Sequence, residues 1–276
     1  MTEKREHVGR TIRVEIRIDA TPERVWDAWA EPEEIARWWV DRAEGTCAAG
    51  EVMTWHFDDM GYRLPVPILE AERGRSIVIG GEVPGRPPFL QEIHIASEGG
   101  TTVLRLANSG FRDGAEWDEE YEGVDSGWRI SLATLKHWLE NYPARDRVNT
   151  LVMRPARFEY EGLQPYFATG RGLTAWLAEG AELGREPLAD GAAVRLTLPG
   201  GERLEGEVLT RTATEVLLSW PQADSTLTLK CFSAGPAGRM LGLHLNTWGT
   251  PGEERLAAWR GTLEAALERL AGLLDQ

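Results

Sequence analysis

The chain changes period in a regular order. Ile12-Arg-Val-Glu-Ile-Arg-Ile18 alternates apolar and polar residues, the signature of a strand with one buried face. Immediately after it the spacing becomes helical. Thr21 can cap, Pro22 fits a first turn, and Glu23 places negative charge where a helix N-terminus favours it. Pro32, Glu33 and Glu34 open a second short helix that is expected to carry Trp38 and Trp39. Alternation returns over residues 52–57, 64–69, 76–82, 90–96 and 101–108, with turn residues between the segments. Trp128, Leu132, Leu135 and Leu139 then fall on one stripe of a long helix. The predicted order is strand, two helices, meander, long helix.

These residues resemble a known family. The Thr-Pro-x-x-Val-Trp opening at 21–26, the Trp38-Trp39 pair, Gly50 before the second strand, Gly110-Phe111 after the last strand and Gly127-Trp128 at the start of the closing helix are similar to the helix-grip superfamily called START or SRPBCC. Within it they are most similar to the branch named after the C-terminal domain of the activator of the Hsp90 ATPase. The resemblance covers about residues 8–142 and implies an α+β fold. In that fold a curved antiparallel sheet wraps a long C-terminal helix and leaves a cavity between them.

The remainder repeats this order at a period of about 130 to 140 residues, too long for a solenoid and suited to domain duplication. Leu173-Thr-Ala-Trp176-Leu177 echoes Ile35-Ala-Arg-Trp38-Trp39, and Gly191 echoes Gly50. Val216-Leu-Leu218 echoes Ile77-Val-Ile79, and Leu241-Gly-Leu-His-Leu-Asn246 echoes Val103-Leu-Arg-Leu-Ala-Asn108. Trp259, Leu263 and Leu267 echo Trp128, Leu132 and Leu135. Two helix-grip domains in tandem are therefore expected, at 1–145 and 150–276, joined by Tyr142-Pro143-Ala-Arg-Asp-Arg147. The second copy is degenerate: Pro155 interrupts its first strand and its helix opening at 163–167 has no Val-Trp pair.

Composition narrows the function classes. At 276 residues the chain has length for two cores, and no apolar run approaches 18 residues, so no membrane span is expected. The charged N-terminus has no apolar signal core, which points to the cytoplasm. Net charge is −14, of which residues 1–145 carry −10, and no Lys/Arg cluster interrupts it. A nucleic-acid partner is therefore disfavoured. Cys47 and Cys231 fall in different repeats and make no disulfide framework.

Motifs for chemistry are scarce. The acidic run Glu116-Trp-Asp-Glu-Glu-Tyr-Glu122 lacks the spacing of a calcium loop and is expected to be a solvated segment. His56 and His94 alternate opposite to the apolar residues of their strands, so they are expected at the surface, with no metal and no cofactor. Gly99-Gly100 and Gly200-Gly201 are expected to be hairpin turns.

What remains is an apolar surface. By parity Met53, Trp55 and Phe57, Leu64, Val66 and Ile68, Ile77 and Ile79, Ile93 and Ile95, and Leu104 and Leu106 share one face. With Trp38, Trp39, Trp128, Leu132 and Leu135 they are either a filled core or, as the resemblance implies, the lining of a ligand cavity. Tyr62, Arg63 and Arg105 are candidate polar contacts. The leading expectation is non-catalytic binding of a small hydrophobic molecule such as a lipid, polyketide or aromatic metabolite by the first domain. The alternatives are a cyclase/aromatase-like enzyme and an interaction protein whose partner is a chaperone; self-association of the chain is a further expectation to test. Fold by itself does not choose among these.

Overall fold

The computed structural model describes residues 7–82, 87–233 and 238–275. By its contacts the chain divides into two compact units, Met1–Ala144 and Arg145–Gln276.

In the first unit, strand β1 (Arg10–Ile18) leads into helices α1 (Pro22–Ala30) and α2 (Pro32–Ala36). Strands β2 (Arg42–Gly45), β3 (Val52–Phe57), β4 (Tyr62–Glu72), β5 (Ser76–Gly81), β6 (Phe89–Glu98) and β7 (Thr101–Phe111) follow, and helix α3 (Asp118–Asn141) closes the unit. The seven strands form one sheet in the order β1-β7-β6-β5-β4-β3-β2, with every pairing antiparallel. The Thr21 hydroxyl accepts the Arg24 amide at 3.2 Å, so α1 starts where the capping residue sets it. Pro65 and Pro67 are accommodated in β4 because they pair only with β3, before the β5 pairing begins at Ile68.

The second unit repeats the plan with β8 (Val148–Ala156), α4 (Tyr160–Ala168), α5 (Gly170–Trp176), β9 (Gly180–Leu183), β10 (Ala193–Thr197), β11 (Arg203–Arg211), β12 (Glu215–Trp220), β13 (Ser225–Ser233), β14 (Arg239–Thr247) and α6 (Glu253–Leu274). Its sheet runs β8-β14-β13-β12-β11-β10-β9. Local details repeat as well. A bulge lies in β4 between Ile68 and Glu70 and in β11 between Val208 and Thr210, and bulges bend a sheet at the place where they occur. The Gly50 amide donates to the Ile68 carbonyl while the Ile68 amide donates to Glu51; Gly191, Val208 and Ala192 make the same reciprocal pair. Trp38 donates its indole N–H to the Ala28 carbonyl at 2.8 Å, and Trp176 donates to the Tyr166 carbonyl at 3.0 Å, each ten residues back.

Several sequence expectations need correction. Trp38 and Trp39 are not on α2 but in the turn after it, because the Arg37 and Trp38 amides bond three residues back and tighten the chain past Ala36. The acidic run is not a loop: residues 118–122 are the first turns of α3, where carboxylates face the positive end of the helix dipole. The closing helix therefore starts ten residues before Trp128, and Gly110 and Phe111 belong to β7. Strand β8 is continuous despite Pro155, because β8 lies at the sheet edge and the proline pairs with Met240 near its end. The echo between 241–246 and 103–108 is out of phase: β14 buries Leu241, Leu243 and Leu245, whereas β7 buries Leu104, Leu106 and Asn108 on its inner face.

One backbone approach is tight enough to test. A Cβ on Gly172 would meet the Pro165 carbonyl oxygen at 1.9 Å, where α5 crosses the end of α4. Gly172→Ala is expected to destabilise the chain by more than about 2 kcal/mol in urea unfolding. Gly261→Ala, with open space around it inside α6, is the control, expected to be neutral to slightly stabilising because alanine favours a helix interior.

Candidate functional site

The inner face of the first sheet is assembled by parity. Met53, Trp55, Val66, Ile68, Ile77, Ile79, Ile93, Ile95, Leu104 and Leu106 are all buried, as are Trp128, Leu132 and Leu135 on the facing side of α3. The register brings the strands together: Trp55 lies opposite Leu64, Ile68 opposite Ile79, Ile77 opposite Ile93, and Ile95 opposite Leu104.

Trp39 is the centre of an aromatic cluster. Its ring centroid lies 5.8 Å from Trp29, 5.6 Å from Trp38, 4.8 Å from Trp55, 5.9 Å from Phe57 and 5.1 Å from Trp128. Trp39 and Phe57 are half-buried, and Tyr62, stacked on Phe57 at 6.1 Å, is 51% exposed. A continuous aromatic surface thus runs from solvent at Tyr62, through Phe57 and Trp39, to the buried rings of Trp29, Trp55 and Trp128.

Polar groups do reach this interior, contrary to the apolar parity inferred from the sequence. Gln91 and Asn108 are 1% and 2% exposed and pair across β6 and β7, in phase with Ile93 and Leu106. The Trp128 indole donates to Asn108 Oδ1 at 2.9 Å, and Asn108 Nδ2 donates to the Ser109 carbonyl at 3.2 Å. The alternation that marked Ile93 and Leu106 already pointed Gln91 and Asn108 the same way; both fell outside an apolar-only selection. Trp29 was missed too, although it follows Trp26 and Val25 at helical spacing in α1.

The suggested polar contacts lie elsewhere. Arg105 is exposed and bonds Glu15 and Glu98, each at 2.8 Å. Its guanidinium holds Glu98 below the usual carboxylate range. Arg63 is exposed. His94 is exposed as expected, but His56 is buried, its Nε2 3.4 Å from Glu44, because β2, which shows no alternation, pairs beside it. Both thiols are held protonated by burial: Cys47 is raised to about 11, with Glu31 adding to the effect, and Cys231 is raised further. Among the described residues no three His, Cys, Asp or Glu side chains converge to hold a metal ion.

The second unit's interior differs in kind. Val194, Leu196, Leu204, Val208, Leu218, Leu227, Leu229, Leu241 and Leu243 close on Leu263, Leu267 and Leu270 of α6 in one buried cluster. Its indoles are satisfied: Trp220 donates to the Arg203 carbonyl at 2.9 Å, and Trp259 donates to Glu202.

A bulged antiparallel sheet that grips a long C-terminal helix, entered through two short helices, defines a helix-grip domain, and the chain carries two in tandem. The family model described as "Activator of Hsp90 ATPase homolog 1-like protein" matches residues 19–140, which lie within the first domain. No curated protein sequence matches the chain. Among solved structures the chain is similar to the di-domain ARO/CYC BexL from the BE-7585A biosynthetic pathway, at 14% identity over 97% of this chain and 99% of that one, with a TM-score of 0.44. It is similar to DynU16 of the dynemicin biosynthetic locus, at 18% identity over 96% and 98%, with a TM-score of 0.41. CalU16 from Micromonospora echinospora shares 26% identity over 49% of this chain and 77% of its own, with a TM-score of 0.40. Among the described residues no helix is long and apolar enough to cross a membrane.

Proposed function

We propose that the first domain binds a small, largely apolar molecule between its sheet and α3, without catalysing a reaction on it. The observation that supports this reading is the aromatic surface running from exposed Tyr62 to the buried rings around Trp39. Burial of a flat apolar ligand against such rings combines desolvation with ring stacking. The inward polar groups beside the aromatic cluster, Gln91, Asn108 and the indoles, neither take nor give up protons near neutral pH, so they orient a ligand rather than act as general acid or base. The second domain, closed by leucines and with satisfied indoles, is read as a structural companion.

The test is a titration of the full chain with a neutral apolar fluorophore such as 1,6-diphenylhexatriene, followed by indole emission. A saturable change is expected that Trp39→Phe and Trp55→Phe diminish and Trp176→Phe and Trp220→Phe leave intact. A response carried by Trp176 or Trp220 would move the site to the second domain. No saturable response to this probe or to a second neutral aromatic hydrocarbon would remove the binding reading.

A further inference from the structure

The same site has a polarity of its own, and it restricts the ligand. Trp29 and Trp55 are each 2% exposed, and the indole nitrogen of each is buried without a hydrogen-bond partner. The amide nitrogen of Gln91, 1% exposed, is buried and unpartnered as well. An indole N–H can only donate, and a donor removed from water without an acceptor is costly, so folded proteins rarely leave one unmet. Other tryptophans of this chain follow that rule: Trp26, Trp38, Trp128, Trp176 and Trp220 each donate to an oxygen.

These three donors are linked through shared neighbours. Trp29 and Trp55 both pack on the Trp39 ring, and Trp128, in contact with Trp29 and Trp39, bonds the Asn108 side chain that pairs with Gln91 across the strands. No Lys or Arg stands among the inward positions of β3 to β7, so a carboxylate would enter without a counter-charge, at high desolvation cost. A neutral oxygen acceptor meets no such penalty.

Resting on the reading of the first domain as a binding site, we infer that its ligand is a flat, neutral molecule carrying carbonyl oxygens, received by the N–H groups of Trp29, Trp55 and Gln91. A ligand edge with no oxygen acceptor would leave the three donors unmet and bind more weakly.

A matched pair of probes tests this: 9-fluorenone and fluorene share one ring frame and differ in a carbonyl, with fluorene-9-carboxylate as the charged arm. Fluorene is the more apolar, so burial by itself favours it. Calorimetric titration of the full chain is expected to show the opposite order, fluorenone binding at least about tenfold more tightly, with the carboxylate weakest. Trp55→Phe and Gln91→Leu, checked for folding by circular dichroism, are expected to shrink that ratio to under about threefold, the ratio being read within each variant so that any change in apolar packing acts on both probes alike. Equal binding of fluorene and fluorenone, or a ratio that survives both substitutions, overturns the carbonyl assignment and leaves apolar binding standing. Tightest binding of the carboxylate overturns the neutral class. Failure of fluorene and fluorenone alike overturns the binding reading itself.

Discussion

Trp39→Ala is expected to lower the melting temperature of the chain by roughly 6 to 12 °C and to weaken apolar dye binding by more than about tenfold. Trp39 touches five other rings, so its removal leaves a hole bounded by Trp29, Trp38, Trp55, Phe57 and Trp128. Large-to-alanine replacement of a fully buried tryptophan costs about 3 to 5 kcal/mol; the half-burial of Trp39 puts it near the lower end. Trp39→Phe keeps much of the packing and is expected to retain most of the stability. Differential scanning calorimetry checks the first quantity and dye titration the second. A shift below about 2 °C would mean that the cluster is held by its other members, and the aromatic surface would lose its assigned centre.

Acid is the second strong lever. His137 is buried on α3, its ring 5.5 Å from Tyr142, with the Asn141 side chain donating to the His137 carbonyl at 2.9 Å. Burial lowers its pKa to about 4, against the opposing charge of Glu140. His244 is lowered well below its ordinary value by burial and by the charges of Arg147 and Lys230. A histidine depressed in the folded state takes up its proton first in the unfolded chain. The stability is therefore complete above pH 6.5 and is lost as the pH falls towards 4. For His137 the span corresponds to an upper bound of about 3 kcal/mol. Urea midpoints are expected to fall measurably between pH 7 and pH 5, and His137→Gln is expected to flatten that fall. Coincident midpoints at the two pH values would show that these imidazoles are hydrated in the folded protein.

Much of the fold was legible because the two periods of the chain are enforced by burial. Residues 52–57 alternate because β3 has one inner face, and Trp128, Leu132 and Leu135 are spaced because α3 presents one stripe to the sheet. The duplication was legible for the same reason, since two sheets of the same order need the same succession of periods. Strand β2 was not, being four residues long at an exposed edge, with no buried face to impose alternation. The start of α3 was hidden by its charge, because a solvated first turn carries no apolar signal.

The sequence by itself determined the element order, the tandem helix-grip plan, the apolar identity of the inner sheet face and the location of tryptophans at its end. All but the helix-grip plan follow from spacing along the chain, which local geometry converts directly into faces; that plan is what the family resemblance implied. Only the tertiary structure decided which side chains meet. That Trp39 gathers five rings, that Asn108 holds Trp128 while Trp29, Trp55 and Gln91 remain unmet donors, and that Arg105 and Glu98 pair on the outside depend on strand register and on where α1, α2 and α3 dock. Hydrogen-bond satisfaction is a property of neighbours distant in sequence, and no pattern of residues along a chain encodes it without the register that brings them together.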